Sequence, residues 1–183
     1  MLMLRLKQAT LDRHREVEAL MPVLHPSLSR VAYARLLSQL QAVVGPLEAR
    51  LLTLPFPPAF ELHLRLKAPL LTRDLGHLPS VSPTPPTVPQ LAGVSEGLGA
   101  LYVLEGATLG GQVIARHLQR NLNIQSQSGS AYFHAYGAAT GPMWLALTEA
   151  MNRGVAPEDE EDVIAGAQHT FELFHQVLKG VSA

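Results

Sequence analysis

Apolar residues recur along this chain at helical spacing, and no segment shows the strict alternation of a half-buried strand. From Leu4 to Met21, Leu6, Val17 and Met21 recur among small and polar residues with no breaker before Pro22, which predicts a first helix. Ser29 is placed to cap a second helix carrying Tyr33, Leu36, Leu37, Leu40, Val44 and Leu51, with Gly45-Pro46 expected to bend it. Ala59 to Leu66 reads as a short helix, and Pro69 suits the first turn of another. The proline-rich run Pro79 to Pro89 excludes regular structure. It reads as a surface connector, since neither flank alone could bury its apolar face. Leu91 to Leu122 carries apolar residues throughout and predicts one long helix, interrupted by Gly97, Gly99, Gly106, Gly110 and Gly111. Asn123 to Ser130 is polar and reads as a loop, followed by two short helices over Ala131–Tyr136 and Pro142–Arg153. The last helix has Pro157 in its first turn and the acidic run Glu158 to Asp162 at the positive end of its dipole. Val163, Ala167, Phe171, Phe174 and Leu178 form its apolar stripe, which ends before Gly180.

The expectation is an all-α fold, one bundle of about seven or eight helices forming a single domain over residues 1–183. Composition narrows the function. Apolar residues make up 47% and charged residues 16%, so much helical surface must be buried. A net charge of −1, with no run of basic residues interleaved with aromatics, argues against nucleic acid as a partner. No uninterrupted apolar run reaches the roughly 18 residues that span a bilayer, and Met1–Lys7 lacks the order of a signal peptide. No membrane partner and a cytoplasmic location are the expectations. The absence of cysteine excludes disulfides, thiolate-held clusters and a cysteine nucleophile, and leaves His or carboxylates to hold any metal.

Two groups of residues suggest chemistry. On the first helix Lys7, His14 and Glu18 fall in a row at steps of seven and four, with Thr10 and Val17 beside His14 on the inward side. A neutral imidazole there could donate to iron while Glu18 accepts a hydrogen bond from its other ring nitrogen. The plain alternative is a surface pair at i,i+4 with a solvated lysine. The long helix offers the second group. A glycine costs a helix interior up to about 1 kcal/mol against alanine, so five of them imply that something approaches the backbone closely. Gly106 and Gly110 are one turn apart and could expose bare main chain to a flat ligand, or let two helices cross.

The run Leu101-Tyr-Val-Leu-Glu-Gly-Ala-Thr-Leu-Gly-Gly-Gln-Val-Ile114 resembles the distal helix of haem oxygenases, closely that of the bacterial branch that supplies bilins to phytochromes. Lys7-Gln-Ala-Thr-Leu-Asp-Arg-His14, with Glu18 following, resembles the proximal helix of the same family, and looser similarity extends from Leu4 to about Lys179. The resemblance implies a haem-oxygenase-like bundle with haem between the first helix and the Gly-rich helix. It implies that His14 is the axial iron ligand, that Lys7 meets a propionate, and that Thr10, Glu18, Tyr102 and Phe171 line the pocket. Gly106, Gly110 and Gly111 would back the open distal side, Gly106 and Gly110 as catalytic positions. Haem would be cofactor and substrate, opened to biliverdin with release of CO and iron. The reaction would use O2 and an external electron donor, a reductase or ferredoxin, with a bilin-accepting phytochrome as a further partner. One departure stands out: the mammalian-type motif has an aspartate after the first distal glycine, and here that position is Ala107. The resemblance secures no match for the family's later basic propionate partners, for which Arg116, Arg120 and Arg153 are candidates. Trp144 reads as core. Two other readings compete, a haem carrier or sensor that does not degrade its ligand, and a di-iron bundle, for which Glu172-Leu-Phe-His175 supplies one Glu-x-x-His element where two are needed.

Overall fold

A computed structural model describes residues 1–180. Among these residues the chain forms seven α-helices and no strand: α1 (Leu2–Leu20), α2 (Arg30–Leu51), α3 (Ala68–Leu75), α4 (Val94–Leu122), α5 (Ala131–His134), α6 (Thr140–Gly154) and α7 (Glu160–Lys179). The all-α expectation holds. α7 is the hub: both α1 and α4 pack along it far more than on one another, and α6 touches α1 and α4. Leu6, Val17, Leu37, Leu47, Leu101, Leu118, Val163 and Phe171 belong to one contiguous apolar cluster.

The α4–α7 crossing is backbone on backbone. A Cβ on Gly99 would lie 2.0 Å from the Val163 carbonyl oxygen, and one on Gly166 would lie 2.0 Å from the Glu96 carbonyl oxygen. Only two glycines facing each other permit that approach. Gly97 faces the side chains of Leu54, Phe56 and Leu51, and Gly111 faces the Phe133 carbonyl of α5, 2.2 Å from where its Cβ would be. Close packing therefore explains three of the five α4 glycines, and leaves Gly106 and Gly110. By length and composition α4 could cross a membrane, which the sequence reading did not foresee; more than half of its apolar stretch is buried against other helices, as befits the central helix of a bundle.

Ser29 caps α2 as expected, its side-chain oxygen accepting the Ala32 N–H at 3.1 Å. Pro46 does not interrupt the helix. Lacking an N–H, it leaves the Ala42 carbonyl without a helical donor. Thr87 of the proline-rich connector fills that vacancy, donating its N–H at 2.8 Å and its hydroxyl at 3.1 Å to Ala42 O. Ser38 Oγ also accepts the Thr84 N–H at 2.8 Å, so the connector is a strap fastened to α2.

The helix expected over Ala59 to Leu66 is instead two 3-10 turns, Pro58–Phe60 and Leu62–Leu64, split by Glu61 in the left-handed region at φ 46°. Pro57 and Pro58 supply no N–H, and Arg65 Nε claims the Phe60 carbonyl at 2.8 Å, so the segment follows its inward-pointing cations rather than a helical ladder. The helix expected over Ala131–Tyr136 stops at His134, followed by Ala135 at φ 42°. Its first turn is held by buried Asp74, whose carboxylate accepts the N–H groups of Ala131 and Tyr132, each at 2.8 Å.

The two kinds of α4 glycine should respond oppositely to a methyl group. Gly99→Ala should destabilise the protein by about 3 kcal/mol through overpacking. Gly110→Ala, whose Cβ would meet nothing within 4 Å, should stabilise the ligand-free protein by up to about 1 kcal/mol. Urea midpoints of the two variants measure this, and equal shifts of the same sign would refute the division.

Candidate functional site

α1 and α4 approach each other at Thr10 and Tyr102. Thr10 is buried, its hydroxyl donating to the Leu6 carbonyl at 2.7 Å. Burial raises the Tyr102 phenol, and a hydrogen bond with Thr10 opposes that rise. One turn beyond this contact stand His14 on α1 and Gly106 on α4.

His14 is half-exposed; its Nδ1 lies 3.5 Å from Glu18 Oε2, and its ring meets buried Phe171 of α7 edge-on, 5.8 Å between centroids. With Nδ1 turned to the carboxylate, Nε2 is the nitrogen left for a ligand. The sequence reading placed His14 on the inward side; it stands at the rim, between buried Thr10 and Val17 and exposed Glu18. Lys7 is exposed two turns back.

On α4, Gly106 meets only the Trp144 indole, 3.8 Å from where its Cβ would be, and Gly110 has nothing within 4 Å. Leu109 and Val113 beside them are about half exposed, on a helix whose other apolar side chains are mostly buried. This bare, apolar strip is what a flat apolar ligand needs, and His14 offers such a ligand's metal a free ring nitrogen. The residues present therefore fit haem. Gly111 does not share the strip: it is buried against α5, because a helix that exposes Gly110 turns the next residue by about 100°. Ala107 is exposed, and the Thr108 hydroxyl is committed to the Glu105 carbonyl at 2.7 Å, so neither presents an acid to the strip. Arg116 and Arg120 lie exposed further along α4 and bond to carbonyls of their own helix, while Arg153 pairs with Glu149 on α6. The di-iron reading finds no donors: among the described residues no three His, Asp or Glu side chains converge, and Glu172 engages Arg13 and Gln176.

Sequence reasoning gave no role to the group directly behind this strip. Glu105, 1% exposed, precedes Gly106 and receives hydrogen bonds from Arg65, Lys67 and the Tyr136 hydroxyl, the last at 2.7 Å. Arg65 also donates to the Met143 carbonyl at 3.1 Å, and Glu48 accepts the backbone N–H groups of Lys67 and Ala68 at 2.6 and 2.9 Å. Two acids and two bases thus share one dry volume among α2, α4 and α6. Burial lowers the Lys67 ammonium, with Glu105 opposing, and raises the Glu48 carboxyl and the Tyr136 phenol. The signal was present: Glu105 is a lone acid in the middle of an apolar run, and Arg65 and Lys67 alternate with leucines.

The heme oxygenase family model matches residues 89–180, half of the chain, covering α4 to α7. The chain belongs to the haem oxygenase family. Its fold is that of other haem oxygenases. The structure of the Neisseria meningitidis enzyme, solved with NO and CO bound, superposes with a TM-score of 0.81 at 23% identity, covering 100% of this chain and 95% of that one. The Leptospira interrogans haem oxygenase gives 0.79 at 17%, covering 98% and 99%. Haem oxygenase-1 of the cyanobacterium Synechocystis, solved in complex with haem, gives 0.75 at 14%, covering 99% and 92%. No curated protein sequence matches the chain.

Removing the acid at the centre of the buried cluster should be costly for this haem oxygenase. Glu105→Leu should destabilise it by about 3–5 kcal/mol, because Arg65 and Lys67 then lose their partner in a dry environment. Chemical denaturation checks this, and a loss below about 1 kcal/mol would show that the cluster is solvated.

Proposed function

We propose that the protein binds haem between α1 and α4 and opens it to biliverdin, with release of CO and iron, using O2 and electrons from a reductase or ferredoxin. The observation that carries this reading is the pairing of a half-exposed His14, its Nδ1 toward Glu18, with the strip at Gly106 and Gly110; His14 and Gly106 each stand one turn past the Thr10–Tyr102 contact, and Gly110 one turn further. Haem is the substrate and itself supplies the redox chemistry.

The chain's own residues bind and orient. His14 Nε2 would hold the haem iron, and Glu18, 3.5 Å from Nδ1, would orient the ring. A neutral imidazole keeps the iron clear of the electron push that a thiolate would exert. Lys7, exposed on the same helix, meets a propionate at the solvent edge. Gly106 and Gly110 leave room on the opposite side for a diatomic molecule to lie against the main chain. With alanine at position 107, protons would have to reach that side through water held by the backbone. Ala107 also favours a second reading, a haem carrier or sensor on the same scaffold. Both readings predict a Soret band on adding haem, and only the enzyme yields a green product when reductant and O2 are supplied.

His14→Ala should leave the far-UV circular dichroism unchanged, alter the ferric Soret band and abolish biliverdin formation, while Glu18→Ala should weaken haem affinity or turnover about tenfold. A wild-type spectrum with normal turnover in His14→Ala would sink the ligand assignment. Gly110→Leu should fill the space beside the haem plane and block turnover while the apo protein still folds. Unchanged O2 binding and product in that variant would remove Gly110 from the haem site.

A further inference from the structure

Trp144 is the one tryptophan of the chain and lies on α6, half-buried. Its ring covers a defined part of the α4 strip. The indole is 5.7 Å from the Tyr102 ring and 3.8 Å from the Cβ position of Gly106, while Gly110, the next turn on, is bare. The covered face of α4 thus ends at Gly106 and the open face begins there, so a rigid planar ligand sliding along the strip would abut the indole edge.

The indole is also anchored from behind. Arg65 joins Glu105, the residue before Gly106, to the carbonyl of Met143, the residue before Trp144, and all of these groups are buried or half-buried. One guanidinium therefore sets the spacing between the two sides of the wall, α4 and α6. Arginine suits this task because its planar fork presents several donors in fixed directions, which a lysine ammonium does not.

We propose that Trp144 is the specificity-determining wall of the distal side, and that Arg65 and Glu105 are its positioning residues, so that together they fix which edge of the haem plane lies over Gly106 and Gly110. This rests on the haem reading above and adds a control over in-plane seating, hence over which meso carbon is opened.

Three measurements test it. First, in the ferric haem complex with cyanide, the hyperfine-shifted haem-methyl resonances report in-plane seating without turnover. The wild type should give one dominant set, Trp144→Ala a second set of comparable intensity, and Trp144→Phe a return toward the first. Second, the biliverdin isomers formed by the same proteins, separated chromatographically, should pass from one isomer to a mixture and back. Third, in the ligand-free protein, Glu105→Gln should raise acrylamide quenching of Trp144 by about twofold as the wall loosens. Where Glu105→Gln does not fold, Arg65→Lys carries that measurement. Unchanged methyl resonances and isomers in Trp144→Ala overturn the wall, and unchanged quenching in the folded anchor variant overturns its anchoring. A wild type that takes up no haem at all overturns this inference together with the reading it rests on.

Discussion

The contact of α4 with α7 through Gly99 and Gly166 determines how the rest of the bundle can be arranged. With each Cβ position 2.0 Å from a carbonyl oxygen of the other helix, the two main chains are in contact and can come no closer. α1 packs on the same α7, so this third helix, more than the single meeting of Thr10 with Tyr102, sets where α1 stands relative to α4. His14 leans on Phe171 of that shared helix, which ties the candidate ligand to the same reference.

This arrangement explains which parts of the site were readable in advance. Helical periodicity located α1, α2, α4 and α7 because each has an apolar stripe of several turns. It also gave the spacing of Lys7, His14 and Glu18, which is a property of one helix. Pattern alone did not separate the glycines, since a glycine that admits another backbone and one that admits a ligand are identical in sequence. The resemblance grouped Gly111 with Gly106 and Gly110, yet a helix turns adjacent residues to different neighbours. The segment over Ala59 to Leu66 misled for a different reason. Its leucines repeat like a helix, but Arg65 and Lys67 are the residues that go inward, drawn to Glu105 from 40 and 38 positions away. Trp144 was read as core, and it does pack against the apolar cluster while staying half-buried.

The buried charges and the open strip are two faces of one stretch of α4. Glu105 points into a volume from which water is excluded, and Gly106 beside it has no side chain at all. Desolvated ion pairs seldom add net stability over a well-packed apolar core. Their advantage here is directional, because hydrogen bonds to a carboxylate fix angles that leucine packing would leave adjustable. The expense of burying four charged groups is compatible with a wall that must hold still opposite a mobile, planar ligand.

The strap on α2 has a consequence for how the chain reaches this state. The carbonyl that Pro46 leaves unmatched belongs to Ala42, and its donor is Thr87, 45 positions along. No local event can complete the middle of α2. Until the long loop through α3 closes, the Ala42 carbonyl has no donor within the protein, so the helix gains that bond only when the chain entering α4 has come into place. A residue usually regarded as a helix breaker thereby makes two distant segments mature together, and couples the completion of α2 to the delivery of the glycine-bearing helix.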